Sequence, residues 1–206
     1  MTDRTDAVRD QVLDAAAALF MTKSFAGTTD REIATRAGAS YASLHFHFAG
    51  KDEILTELLQ RCVRPGVDEI AAIEATVPPG AHATALWLLI LADVRALAEA
   101  PHNIGALPFM PDVTNSRAYI PFGFAYQDLV DAYARLGVQV ASPEVTATLS
   151  ARQLGQLMMQ QVESITEIRN DGKTVTSEDA RSIAASCLRI CGVDQQTIAG
   201  LGSPDR

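Results

Sequence analysis

The segment TTDREIATRAGASYASLHFHFAGKDEI, residues 28–54, constrains this chain more than any other, because its capping chemistry starts, stops and restarts a helix in quick succession. Thr29 followed three residues later by Glu32 forms a capping box: each side chain satisfies a backbone donor that the first turn leaves orphaned, so a helix begins at Asp30. Ile33, Ala34 and Ala37 give that helix one apolar face. Gly38 ends it, since glycine enters the left-handed region without a Cβ penalty, and Ser40 supplies a hydroxyl to cap the next helix. In this second helix Leu44 and Phe48 lie four apart and point inward, leaving Tyr41, Ala42, Ser43 and His45 outside. Two helices across a sharp turn, with a narrow outward face on the second, have the dimensions that a DNA major groove admits.

Further positions extend this local reading into a longer register: Ile33-Ala34, Ala37-Gly38, Ser40, Leu44, His47-Phe48, Lys51 and Leu55. With these residues, 8 to 60 resemble the DNA-binding domain of the TetR family of bacterial transcriptional regulators. The resemblance implies an all-α fold: a three-helix DNA-binding domain with a helix-turn-helix over residues 1–50, then a helical effector-binding and dimerisation domain over 51–206. Two positions depart from the family pattern. His45 replaces the usual tyrosine, and Ser43 stands where glycine or threonine is frequent. The first bears on how closely the helix sits on the backbone and on pH sensitivity near neutrality. In this reading Tyr41 and Ser43 face base edges, Ala42 meets a thymine methyl or allows a close backbone approach, and Arg31, His45 and Lys51 reach phosphates. His47, at the helix end, divides between packing and phosphate contact, and Thr29 and Ser40 at the two helix starts complete the set.

Charge looks wrong for a DNA binder: the net formal charge is -8. Within residues 1–61 carboxylates outnumber basic side chains. Placement must then do what bulk charge does not, with Arg4, Arg9, Arg31 and Lys51 along the phosphates, and the expected affinity for random DNA is modest and salt-dependent.

Cys62, Cys187 and Cys191 have no spacing that suggests a disulfide framework or a zinc site. His45 and His47 are two apart and face different ways on a helix, which argues against a metal site. No cofactor is expected. No basic-then-apolar leader is seen, and the apolar run 83–94 is too short for a bilayer, so a reducing cytoplasm is the expected compartment and no membrane partner is expected.

Helix follows helix along the rest of the chain. The first is predicted over 5–22, behind the DNA-reading pair. The fourth starts at Lys51 and links the two domains, with Pro65-Gly66 expected to kink or break it. Residues 81–100 read as a buried helix carrying Trp87. Prolines at 101, 108, 111 and 121 forbid a long helix and leave room for a short one over 103–109. Helices over 122–136, closing at Gly137, over 143–169 and over 177–191 follow, and 200–206 read as a mobile tail.

Apolar stripes on the last two helices look larger than one chain requires: Leu154, Leu157, Met158, Val162 and Ile165 on one, Ile183, Ala184, Cys187, Leu188 and Cys191 on the other. Such stripes are usually core. The family resemblance implies instead that these helices pair with their copies in a homodimer, whose two heads read half-sites of a palindromic operator about 34 to 36 Å apart. On that reading, charge at Ile183 or Leu188 yields monomers.

Trp87, Leu91, Phe109 and Met110, with Phe122, Tyr126 and Met158, are the expected lining of a cavity, and Gln161, Asn103 or His102 the expected polar contacts. Core packing is the plain alternative for such residues. The family implies a small-molecule effector here that shifts the fourth helix, for which a coupling of about 1 to 3 kcal/mol suffices. Without a positive cluster in this segment, an apolar or aromatic effector fits better than a strongly anionic one. The expected function is a DNA-binding regulator, as a rule a repressor, relieved by that effector. The alternative is a DNA-binding structural or cell-cycle factor of the same fold governed by a protein partner. No phosphate loop, nucleophile elbow or metal-spaced histidines point to an enzyme.

Overall fold

The computed structural model describes residues 2–202, with side chains from residue 6 onward, and all of its regular elements are helical. In chain order they are α1 Thr2–Lys23, α2 Asp30–Arg36, α3 Tyr41–His47, α4 Lys51–Thr76 and α5 His82–Glu99. A 3-10 helix, Ile104–Phe109, precedes α6 Pro111–Thr114, α7 Tyr119–Val140, α8 Pro143–Thr148 and α9 Ala151–Glu163. Last come α10 Ile165–Asn170, α11 Ser177–Ile190 and α12 Gln195–Leu201. The side chain of Arg4 and residues 203–206 of the expected tail lie outside the described residues.

Of the boundaries that differ from the sequence expectation, four have a clear physical reason. Helix α4 continues through Pro65, where buried Leu59, Val63 and Ile73 hold it on both sides of the lost hydrogen bond. Helix α7 passes Gly137, which serves packing rather than capping: a Cβ there would come within 2.6 Å of the Met158 Cε. The single helix expected over 143–169 is three, α8, α9 and α10. Ser150 accepts from the Gln153 N–H at 3.3 Å and Gln153 Oε1 accepts from the Ser150 N–H at 3.0 Å, a capping box that starts a helix afresh after extended Leu149. Helix α12 lies beyond the helix expected to be the last, over 177–191, and takes in the first residues of the expected tail: Asp194 caps it through Thr197 N at 2.9 Å and Ile198 is buried.

Packing divides the chain into two compact units, Met1–Cys62 with Ala100–Phe124, and Val63–Glu99 with Ala125–Arg206. The boundary expected at 50/51 therefore moves. Ile54, Leu55, Leu58 and Leu59 at the start of α4 are buried in the first unit, and so are Ile104, Leu107 and Val113. Polar ties fix the proline-rich segment to the same unit: Ala26 N–H donates to Asp112 Oδ2 at 2.7 Å, His102 Nε2 lies 3.0 Å from Asp14 Oδ1, and Cys62 Sγ contacts Ile104 O at 3.4 Å.

In the second unit α11 packs on α5 and α9, and this arrangement overturns the expected interface. Leu154, Val162, Ile165, Ile183, Ala184, Cys187, Leu188 and Cys191 are all buried within the single chain. The two stripes face each other and α5, so they are the core of the protomer. Burial pushes the Cys187 thiol up to about 12 and that of Cys191 up to about 11, which leaves both as inert packing groups. One polar pair sits in this core. Tyr133 donates its hydroxyl to Asp93 Oδ2 at 2.7 Å, both residues are buried, and Gly66 of α4 lies so close that a Cβ would fall 1.8 Å from Asp93 Oδ1.

Candidate nucleic-acid interface

The first unit holds α3 by caps on both sides of the turn. Thr29 Oγ1 accepts from Glu32 N–H at 3.3 Å while Glu32 Oε2 accepts from Thr29 N–H at 2.9 Å, and Lys23 pairs with the same carboxylate. Glu32 is thereby held down to about 2, first by Lys23 and then by Thr29. Gly38 adopts φ +64°, and Ser40 Oγ accepts from Ser43 N–H at 3.0 Å. Leu44 and Phe48 are buried against the unit's core. The side chains of Thr29 and Ser40, expected to touch DNA, are thus occupied in positioning α2 and α3.

What remains outside is a compact face. Tyr41 is 49% exposed; the Arg31 guanidinium stands 5.7 Å from its ring centroid and the His45 ring meets it edge-on at 4.4 Å. Among the described residues Arg31 has no carboxylate partner, and neither the Tyr41 nor the Ser43 hydroxyl has a hydrogen-bond partner. Ala42 is exposed and Ser43 half-exposed beside them. Phe46 is 78% exposed, with its ring edge-on to His47 at 5.1 Å. Phe46 is absent from the outward set expected from the sequence, Tyr41, Ala42, Ser43 and His45; its spacing from Ala42, four residues, is the signal that both share the outer face.

Three expected phosphate contacts are directed elsewhere. Lys51 donates from its ammonium to Phe25 O and Thr28 O, both at 2.8 Å, and stands 4.5 Å from the Phe25 ring centroid. Its backbone N–H is taken by Asp30 Oδ1 at 2.9 Å, so Lys51 ties the start of α4 to the loop before α2. His45 turns its Nε2 inward, buried and without a hydrogen-bond partner among the described residues, 3.6 Å from Asp30 Oδ2. Arg9, half-exposed, is likewise engaged, paired with Glu57 at 3.1 Å and stacked 5.0 Å over Phe48.

A family model described as "Bacterial regulatory proteins, tetR family" matches residues 12–58, the stretch that builds this face. The HTH-type transcriptional repressor KstR2 of Mycobacterium tuberculosis H37Rv is 44% identical over 52 residues, which are 25% of this chain. The matched region spans only 26% of that relative's length. The crystal structure of Mycobacterium smegmatis AmtR is 31% identical, with a TM-score of 0.79, over 94% of this chain and 89% of that one. The chain belongs to the TetR family. A complex of SmeT with triclosan shares the fold at a TM-score of 0.68 and 18% identity, covering 97% of this chain and 96% of that chain.

For a TetR-family chain the second question is where an effector would sit, and the expected lining is not gathered in one place. Phe109, Met110 and Phe122 belong to the first unit, where Phe109 is exposed and Phe122 buried. In the second unit Met158 is core beside Gly137, and Tyr126 donates to Glu163 Oε1 at 2.7 Å, with Gln161 half-buried on the same helix as Glu163. Trp87 and Leu91 do come together: they line a cleft of about 450 Å³ between α5 and the start of α11, with Leu201 and Gly202 also in its lining.

Proposed function

We propose that this TetR-family chain, a DNA-binding transcriptional regulator, represses the genes beside a palindromic operator, binds that operator as a homodimer in the cytoplasm, and releases it when a small molecule occupies the second unit. The observation that carries the DNA part is the capped α3 with Arg31, Tyr41, Ala42, Ser43 and Phe46 on one outward face. KstR2 is a repressor, and its 44% identity to this chain over 52 residues supports repression. The triclosan complex of SmeT supports an organic effector, and the cleft of about 450 Å³ lies within the range of about 300–1,000 Å³ common for ligand sites.

Dimerisation then falls to the faces of α9 and α11 that the core leaves outside. They are polar and in part charged, carrying Gln156, Gln160 and Ser182 together with Arg152 and Arg189, in place of the apolar stripes. The test is to incubate the purified protein with sheared genomic DNA at near-physiological salt and sequence what it retains. The expected result is a palindrome with half-sites about one helical turn apart. Diffuse retention with no shared motif would refute the operator.

A further inference from the structure

The cleft in the second unit has a chemistry that names its ligand class. Trp87, Leu91, Val94 and Ala98 line it from one face of α5, recurring at helical spacing. Ala180 of α11 adds to the apolar wall. The charged groups are Arg95, Arg181 and Glu99. Arg95 shares its guanidinium with Glu99 at 2.9 Å, whereas exposed Arg181 has no carboxylate partner among the described residues. The Trp87 indole N–H also has no acceptor there. The cleft therefore combines an apolar strip with donors in excess of acceptors, brought together from helices nearly ninety residues apart, which is why the sequence shows no positive cluster.

We infer that this cleft binds an amphipathic monocarboxylate, its hydrocarbon portion along α5 and its carboxylate on Arg181 and Arg95. The apolar strip removes hydrocarbon from water, and a guanidinium binds a carboxylate through charge-assisted, often paired hydrogen bonds. Glu99 repels a second negative group, which limits the ligand to one. This inference rests on the reading of the protein as effector-responsive and gives that effector a class.

Trp87 is the chain's single tryptophan, so its fluorescence reports the cleft directly in the intact protein. Dodecanoate, kept below its micelle threshold, is expected to change that fluorescence saturably and to bind at least about tenfold more tightly than dodecanol, which lacks the charge. Arg181→Gln is expected to remove most of that preference and Arg181→Lys to restore part of it. Equal binding of dodecanoate and dodecanol, undiminished binding to Arg181→Gln, or no saturable change would overturn the site. Release of labelled operator DNA is read separately. Dodecanoate that binds as expected but leaves DNA affinity unchanged upholds the site and refutes effector relief through it. Release of DNA by dodecanoate that Arg181→Gln does not diminish overturns this site and leaves effector relief standing.

Discussion

At the scale of single residues, Arg31 and Lys51 look alike in the sequence and differ in the structure. Arg31 stands exposed over Tyr41 with no carboxylate to neutralise it, while Lys51 spends its ammonium on two loop carbonyls. Arg31→Ala is therefore expected to weaken binding to all DNA sequences similarly and to lower the salt-dependence slope by about 0.9, read from affinities at several salt concentrations. Lys51→Met takes the ammonium donor from the Thr28 carbonyl and leaves the Phe25 carbonyl with only the Thr28 N–H. Its expected effect is a loss of roughly 1–3 kcal/mol of stability in thermal or denaturant melting. Asp93 gives a second residue-scale prediction. Burial, the dominant cause, pushes its carboxyl up to about 7 against the opposing pull of the Tyr133 hydrogen bond, and Glu69 adds to the rise. Below about pH 4 the group is protonated whether folded or not. Between there and about pH 7 the unfolded chain ionises freely and the folded one does not, so stability falls by roughly 1.4 kcal/mol for each pH unit in that window. Asp93→Asn, which still accepts from Tyr133, is expected to remove that slope; a wild-type minus variant difference flat across the window would contradict it.

At the scale of elements, what the sequence displayed was local chemistry, and what it hid was packing. The start of α2 at Asp30, the turn at Gly38 and the start of α3 at Tyr41 were legible because each is set by side chains within a few residues. Ser40→Ala accordingly removes the cap of α3 and is expected to cost about 1 kcal/mol in unfolding free energy. Ser150 and Gln153 carry the same kind of signal, overlooked because the apolar pattern runs on across it. The partners of Lys51 were illegible for a different reason, because contact with a loop more than twenty residues earlier depends on how the unit closes, whereas the exposure of Phe46 was signalled by its four-residue spacing from Ala42. The proline-rich segment 100–124 supplied aromatic residues that read as a pocket, and its ties to Asp14 and Ala26 place it in the first unit instead.

At the scale of the whole molecule, the apolar stripes of α9 and α11 show that periodicity alone does not distinguish a core from an interface. Ile183 is 8% exposed and Leu188 fully buried in one chain, so both are used before any partner arrives. Ile183→Lys is therefore expected to lose helical circular dichroism and cooperative melting, because it puts an unpaired charge into the protomer's core. A folded monomer emerging from a sizing column would instead restore these residues to the interface. The claim on which the account turns is that the outward face of α3 reads DNA sequence. Its most direct test is the affinity of the wild type and of a Tyr41→Ala, Phe46→Ala variant for the recovered palindrome and for the same palindrome carrying one mismatched base pair in each half-site. The wild type is expected to discriminate by at least about tenfold and the variant to bind both DNAs alike, with its salt dependence retained. A variant that still discriminates as the wild type does would contradict the account, because sequence would then be read from somewhere other than α3.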